Sequence, residues 1–245
     1  MAESGCVRST STLVRTRPDV AYRRSAAQTL PRTIACPSFA PPTRRLVARP
    51  VKRAIDLVGA TALLVLLSPL LLAVAIAVKL DSDGPVFFAQ WRAGRDLRPF
   101  RIWKFRSMRA SAEDEREELI RRHALAGPLF KLDDDPRATR VGRVLRRWSL
   151  DELPQLWNVV RGDMSLVGPR PPLSDEVRAD GLRQRLRLHM RPGLTGPWQV
   201  NGRSELSYRE GVALDLAYVR HWSIARDLGI LARTPWAVLT RRGAH

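Results

Sequence analysis

The feature that most constrains this chain is an apolar stretch without a charge, from Leu57 to Val78, built mostly of Leu, Val, Ala and Ile. As a helix this stretch would be about 33 Å long, which matches the hydrocarbon core of a bilayer. A buried helix of a soluble core is the alternative, but such helices are seldom apolar on every face over this length. The stretch therefore predicts a membrane segment.

Ser68 and Pro69 interrupt this stretch near its middle. Because proline removes a backbone hydrogen bond and clashes with the preceding turn, a sharp bend is expected there. Basic residues flank both ends, which favours two cytoplasmic ends; they are Arg44, Arg45, Arg49, Lys52 and Arg53 before the stretch and Lys79, Arg92 and Arg95 after it. Bend and charge together predict a re-entrant helix that enters one leaflet and returns, with a simple span as the alternative.

The first 50 residues differ in composition from the rest of the chain. Residues 1–50 are rich in Arg, Ser, Thr, Ala and Pro and lack helical or strand periodicity, which is typical of a flexible basic tail. They also lack the continuous apolar stretch of a signal peptide, so export is not indicated. Over the whole chain, 42 Lys and Arg against 24 Asp and Glu give a formal net charge of +18. This excess predicts an anionic partner, such as nucleic acid, lipid head groups or phosphorylated substrates.

Two short strands are expected after the membrane segment, at Pro85–Gln90 and Phe100–Arg106. The loop between them contains Gly and Pro, so the pair is predicted to form a hairpin. Alternation along the second strand puts Lys104 and Arg106 on the same face. Two cations that project together form a candidate phosphate clamp.

Further helices are expected on both sides of a loop rich in Gly and Pro. A charged helix is predicted from Ser111 to about Ala126. The loop, from Arg191 to Arg203, is predicted to be structured but without a regular element. Its glycines suit close approach to a ligand at the border of an active site, and an Ω-like loop packed by Trp198 is the alternative. Amphipathic helices are predicted at Tyr208–Val219 and Trp222–Leu239. Three of their aromatic side chains suit either the membrane–water boundary or core packing, namely Tyr218, Trp222 and Trp236.

Two adjacent carboxylates, Asp151 and Glu152, follow a predicted basic helix, Val141–Trp148, that includes Arg146. Ser149 with Glu152 three residues later forms a capping-box pattern, and under that interpretation the carboxylates only cap the next helix. The alternative is chemical. In phosphoryl transfer, one of two adjacent carboxylates can act as the nucleophile or as a metal ligand, and the other can act as a partner for the metal or a proton. Nearby arginines can hold the phosphate oxygens.

An ordered series of motifs covers the chain from Lys52 to its C-terminus. These are Lys52 to Asp56, Ser68-Pro69, Gly84 to Gly94, Lys104 to Met108, Asp135 to Arg137, Ser149 to Gln155, Gly162 to Pro171 and Arg191 to Gly196. In this order they resemble the bacterial sugar transferases, monotopic polyprenyl-phosphate phosphoglycosyltransferases. With only the basic tail ahead of Lys52, the chain resembles their minimal form with a single membrane segment.

The resemblance implies transfer of a hexose 1-phosphate from a UDP-sugar to polyprenyl (undecaprenyl) phosphate, with release of UMP and a covalent aspartyl intermediate. Such a reaction is the first membrane step of exopolysaccharide, capsule or glycoconjugate synthesis. Asp151 would be the nucleophile and a ligand of Mg²⁺, Glu152 its catalytic partner, and Asp56 an anchor or pairing residue. Lys104, Arg106 and Arg146 would bind phosphate, and Arg170 would contact the nucleotide part of the donor.

Patterns and resemblance together predict a helix-rich α+β protein of the bacterial inner membrane. Its expected parts are a flexible basic tail (1–50), a re-entrant membrane helix (51–80) and a compact cytoplasmic catalytic domain (81–245) with a β-hairpin and amphipathic interfacial helices. A UDP-sugar, polyprenyl phosphate and the bilayer are the expected partners; nucleic acid is not, and homo-oligomerisation stays open, as does the sugar.

Two other classes of function compete with the transferase. A polyanion-binding protein would explain the charge of +18 but not the carboxylate pair, and no zinc finger or clear recognition-helix pattern is visible in the sequence. A catalytically silent membrane scaffold would keep the fold while losing the pair, and this chain retains both Asp151 and Glu152.

Overall fold

The computed structural model describes residues 43–109, 112, 135–173, 176–177 and 181–240. The helix expected from Ser111 to about Ala126 and residues 1–42 of the expected tail lie outside the described residues. In chain order the elements are α1 (Thr43–Leu66), α2 (Ser68–Asp81), β1 (Phe87–Ala93), β2 (Pro99–Phe105), α3 (Arg140–Arg147), α4 (Gln155–Arg161), β3 (Ser165–Val167), α5 (Gly181–Arg187), β4 (Gly193–Thr195), α6 (Pro197–Val200), α7 (Tyr208–Arg220) and α8 (Ile224–Leu239). The predicted helix-rich α+β class is confirmed.

Helices α1 and α2 form a bent pair that meets at Leu67, with 62° between them. The Ser68 hydroxyl donates to the Val65 carbonyl at 2.7 Å, and Pro69 lies in the first turn of α2, where a backbone N–H is not needed. Among the described residues, no helix on its own has the length and hydropathy to cross a bilayer, whereas these two together do. Helix α1 begins at Thr43, ahead of the residue at which the membrane segment was expected to start.

The predicted hairpin is confirmed, because β1 and β2 pair antiparallel. Phe88 lies opposite Lys104 in this pairing. Since opposite residues of an antiparallel pair project from the same face, these two side chains are neighbours. Phe100 and Ile102, on the same face of β2 as Lys104, are buried in the main core. The hairpin is thereby fixed in place with Lys104 at the end of a packed strand face.

Two short elements occupy the region that was expected to be a loop without regular structure. Strand β4 pairs in parallel with β3, with Ser165 opposite Gly193, and the single turn of α6 follows. The two backbones approach so closely that a Cβ on Gly193 would lie 2.1 Å from the Gly168 nitrogen. The glycines of this region therefore permit a strand pairing that larger residues would block.

A buried carboxylate joins α1 to the two C-terminal helices. Asp227 accepts hydrogen bonds from Lys52 Nζ at 2.7 Å, the Tyr218 hydroxyl at 2.6 Å and Trp222 Nε1 at 3.0 Å. Tyr218 and Trp222 are therefore core residues, and the membrane-boundary interpretation is wrong for both. Trp236, in contrast, is 71% exposed on α8.

Asp56 makes a second connection from α1 into the domain. Its Oδ1 accepts from the Ser165 hydroxyl and from the Leu166 backbone N–H, each at 2.9 Å, and the side chain is buried. These contacts agree with the expected anchoring role. Lys52, one turn earlier, donates to the Val167 carbonyl at 2.9 Å, so one turn of α1 is bound to both ends of β3.

Candidate active site

The adjacent carboxylates lie in a short 3₁₀ turn, Leu150–Glu152, between α3 and α4, named here the carboxylate turn. The capping-box interpretation is wrong, because Ser149 has a left-handed backbone with φ of 56° and its side chain makes no cap bond. The turn closes through backbone hydrogen bonds between residues three apart. Because Pro154 has no N–H to donate, α4 begins only at Gln155. The carboxylates are consequently available for other contacts.

Lys104 contacts both carboxylates from the end of β2. Its Nζ donates to Glu152 Oε1 at 2.6 Å and lies 3.9 Å from Asp151 Oδ2. Asp151 is buried, whereas the Glu152 side chain is 37% exposed. The turn thus holds one sheltered carboxylate and one more accessible carboxylate around a shared cation.

The surroundings change the proton affinity of the two carboxylates in opposite directions. Burial raises the pKa of Asp151 to about 6; the charge of Lys104 opposes this effect and that of Glu152 adds to it. Burial also raises the pKa of Glu152, but the charge and hydrogen bond of Lys104, with the charges of Arg203 and Arg92, outweigh burial and lower that pKa. At neutral pH both groups are therefore ionised, within a cluster of cations suited to phosphate.

Arg146 on α3 is a second predicted site residue that lies near the pair. Its charge lowers the pKa of Asp151, and its Nη1 is 3.8 Å from Asp135 Oδ2. The same carboxylate is bound by Arg137, whose Nη2 is 2.7 Å from Oδ2. Asp135 thereby orients two arginines, one of which faces the carboxylate turn.

Arg106 does not project with Lys104, contrary to the predicted clamp. Strand β2 ends at Phe105, so the alternation no longer applies at the next residue. The buried Arg106 guanidinium donates to the carbonyls of Val78 at 3.3 Å and Ser82 at 2.6 Å, at the C-terminal end of α2. Its contacts are with the end of the bent helix pair, and a role in phosphate binding stays a prediction.

Arg170, in the Gly-Pro-Arg-Pro segment, makes its contacts away from the carboxylate turn. Its Nη1 donates to both carboxylate oxygens of Glu176 at 3.0 Å, and its guanidinium lies 5.3 Å from the centre of the Trp198 ring. The Arg170 backbone N–H donates to Asp215 at 3.1 Å, and Asp215 forms a fully buried ion pair with Arg187. This network fixes the position of Arg170 from both its side chain and its backbone.

Arg203 and the Arg187–Asp215 pair were not singled out from the sequence as site residues, and Trp198 was considered only as a packing residue of the predicted loop. Arg203 Nη1 donates to the Ser149 hydroxyl at 3.1 Å, two residues before Asp151. A pairing across so many residues leaves no local pattern in the sequence. Only the glycine that precedes Arg203 marks an unusual backbone there.

The donor set of the turn fits one particular kind of metal site. Among the described residues there is no cluster of three or more His, Cys, Asp or Glu that could hold a metal ion alone. Mg²⁺, however, is commonly bound by one or two carboxylates together with substrate phosphates and water. The buried Asp151 with Glu152 beside it matches that mode, in which the substrate completes the coordination.

The chain is similar to several curated bacterial proteins. It is 44% identical over 202 residues to the UDP-galactose-lipid carrier transferase of Erwinia amylovora, which covers 81% of this chain and 42% of the relative. It is 42% identical over 207 residues to the UDP-glucose:undecaprenyl-phosphate glucose-1-phosphate transferase of Escherichia coli K12, over 81% of this chain and 42% of that relative. It is 41% identical over 222 residues to the exopolysaccharide production protein ExoY of Rhizobium meliloti, over 87% of this chain and 98% of the relative.

This chain therefore spans less than half the length of the first two relatives and nearly all of the third. The family model described as bacterial sugar transferase matches residues 47–241, which include most of α1, all of α2, the hairpin, the carboxylate turn and α8. A match over most of the chain, together with relatives above 40% identity, leads to one conclusion: the chain belongs to the bacterial sugar transferase family.

Proposed function

We propose that this chain transfers a sugar 1-phosphate from a UDP-sugar to polyprenyl phosphate, releasing UMP, at the cytoplasmic face of the bacterial inner membrane. The observation that carries the proposal is Asp151, a buried carboxylate with Lys104 3.9 Å away and Arg146 and Arg203 nearby. Such a group is sheltered from water and surrounded by charges that suit a phosphate. The names of relatives, which include a UDP-glucose:undecaprenyl-phosphate glucose-1-phosphate transferase, support the same donor and acceptor.

In the first step, an oxygen of the Asp151 carboxylate attacks the β-phosphorus of the UDP-sugar. The new O–P bond forms as the bond from that phosphorus to the bridging oxygen breaks, and the bridging oxygen leaves with its electron pair as part of UMP. Lys104 and Arg146 offset the negative charge of the phosphoryl group. Glu152 is held by Lys104, so its carboxylate is oriented beside the reacting group.

In the second step, a phosphate oxygen of the polyprenyl phosphate attacks the same phosphorus. The bond to Asp151 breaks, the carboxylate is regenerated, and the sugar leaves on a polyprenyl diphosphate. No net proton transfer is needed, because in each step one anionic oxygen attacks the phosphorus and another anionic oxygen leaves: the carboxylate replaces UMP in the first step, and the polyprenyl phosphate replaces the carboxylate in the second. The two-step sequence requires only one buried carboxylate nucleophile.

Mg²⁺ is proposed as the cofactor, with Asp151 as its protein ligand. The adjacent Glu152 would assist in binding the ion. When bound, it would neutralise phosphate charge and orient the diphosphate of the donor. The residues of the turn fit this role because Mg²⁺ needs few protein ligands when phosphates are present.

The bent pair α1 and α2 is proposed to lie in one leaflet as a re-entrant helix. Large apolar side chains stay exposed along it, including Val58, Leu66, Leu72 and Leu80, and both flanks are basic. Labelling of single cysteines from one side of sealed vesicles tests this arrangement, with Ser38→Cys in the N-terminal tail or Ala244→Cys near the C-terminus introduced after the native Cys6 and Cys36 are replaced by Ser. A re-entrant pair leaves both positions on the cytoplasmic side, so equal labelling from that side is expected, and protection of Ser38→Cys alone would instead indicate a span.

The catalytic proposal is tested by UMP release from a panel of UDP-sugars, with purified full-length protein, Mg²⁺ and polyprenyl phosphate. We expect at least one donor to give UMP and a lipid-linked sugar phosphate in equal amounts. Asp96→Asn, which alters an exposed acid in the 3₁₀ turn Arg95–Leu97, serves as the control and should keep wild-type rates. Absence of UMP release from every UDP-sugar in the panel would contradict the proposal.

A further inference from the structure

An unusual backbone conformation delivers Arg203 to the carboxylate turn. Gly202 has φ of 140° and Arg203 has φ of 52°, a left-handed conformation that costs about 1 kcal/mol or more in a residue with a Cβ. The buried Trp198 holds this conformation, because its Nε1 donates to the Arg203 carbonyl at 2.8 Å. Backbone strain of this kind persists where the surroundings fix it, and it often accompanies function.

The guanidinium of Arg203 meets the segment that carries the carboxylates. Its Nη1 donates to the hydroxyl of Ser149, which is itself left-handed with φ of 56°. The charge of Arg203 lowers the pKa of Glu152. Burial lowers the pKa of Arg203, and the charges of Glu152 and Asp151 oppose that effect. Within the described part of the chain, however, the Arg203 guanidinium forms no ion pair with a carboxylate and donates only to a neutral hydroxyl.

Trp198 also connects Arg203 to the predicted nucleotide side of the site. The Arg170 guanidinium lies 5.3 Å from the centre of the Trp198 ring. The same side chain therefore positions Arg170 through its ring and Arg203 through its N–H. A nucleoside diphosphate that extends from Arg170 to Asp151 would bring its second phosphate to the end of this connection, beside Arg203.

We infer that Arg203 is a further phosphate-binding residue, which holds the β-phosphate of a nucleoside diphosphate sugar against Asp151. The inference rests on the proposed function. A half-buried guanidinium beside two carboxylates, bonded only to a hydroxyl, retains donors for phosphate oxygens, and its planar fork binds two of them at once. Ser149 orients the fork and the phosphate completes its contacts.

The test compares UDP with UMP, which differ by the β-phosphate, as ligands of purified full-length protein in the presence of Mg²⁺. Loss of a hydrogen bond to a charged group weakens binding by about 10- to 100-fold. We expect Arg203→Gln to weaken UDP by that factor while the Kd of UMP changes by less than about threefold. Arg209→Gln, at an exposed arginine of α7, is the matched control and should leave both Kd values unchanged.

Two further variants separate binding from folding. Arg203→Lys keeps the charge without the fork, so UDP should weaken by less than in Arg203→Gln, again with UMP unaffected. Ser149→Ala removes only the hydroxyl and should cause a smaller loss than Arg203→Gln. Wild-type affinity for UDP in Arg203→Gln, or equal weakening of UDP and UMP, would overturn the inference. If Arg203→Gln does not fold, unchanged UDP binding by Arg203→Lys would overturn it. Failure of the wild-type protein to release UMP would contradict the proposed function instead.

Discussion

Replacement of Lys104 by Met removes the cation shared by both carboxylates. Nζ lies 3.9 Å from Asp151 Oδ2, and at an effective dielectric constant of about 20 two unit charges at this distance attract by about 4 kcal/mol. This attraction favours ionised Asp151, the form able to attack phosphorus. Because burial already raises the pKa of Asp151 to about 6, loss of the attraction leaves only a small ionised fraction at neutral pH. We expect kcat/KM for UMP release to fall by about 100-fold.

Initial rates of UMP release at several donor concentrations measure this effect, and thermal unfolding confirms that the variant is folded. Lys104→Arg keeps the charge and should lose less activity than Lys104→Met. Lys79→Met makes the same change at an exposed lysine at the end of α2 and should stay near the wild-type rate. A Lys104→Met protein that is folded and within about fivefold of wild type would refute the electrostatic reasoning.

Two predictions concern stability. Asp227→Ala leaves three buried donors without their carboxylate, so we expect the free energy of unfolding to fall by about 3 to 5 kcal/mol. The thermal midpoint should then fall by about 6 to 20 °C. Arg226→Gln, at the exposed neighbouring residue, should shift the midpoint little, and equal midpoints for the two variants would contradict this prediction. For Asp135, burial raises the pKa, but hydrogen bonds and charge from Arg137 outweigh burial and lower it below 3.8. Its ionised form therefore stabilises the fold above about pH 4, and this stabilisation is lost as pH falls through the lowered pKa. The difference in thermal midpoint between Asp135→Asn and wild type should consequently shrink in acid. A difference that stays constant with pH would contradict the assignment.

Local patterns predicted the parts of this protein that depend on neighbouring residues. Alternating apolar residues between Gly and Pro specify the hairpin, and Lys104 lies on it as expected. The bend before Ser68 and Pro69 follows from proline chemistry alone. Because both features need only a few consecutive residues, the sequence was sufficient to identify them.

Long-range contacts explain what local patterns did not predict. Ser149 and Glu152 have the spacing of a capping box, yet the left-handed Ser149 bonds to Arg203, far along the chain, and Glu152 bonds to Lys104. Arg106 follows Lys104 with the period of a strand, but the strand ends before it. In each case a tertiary partner or an element boundary decides where the side chain goes, and neither is visible in a short window of sequence.

The central claim is that Asp151 carries the sugar phosphate between donor and lipid. Its most direct test is intact-mass spectrometry of the full-length protein, quenched after mixing with the active UDP-sugar and Mg²⁺ but without polyprenyl phosphate. The account predicts an added mass of one sugar phosphate, located on the peptide containing Asp151, lost when polyprenyl phosphate is added and absent from Asp151→Asn. An Asp151→Asn protein that still releases UMP, or an adduct on a different residue, would contradict the account.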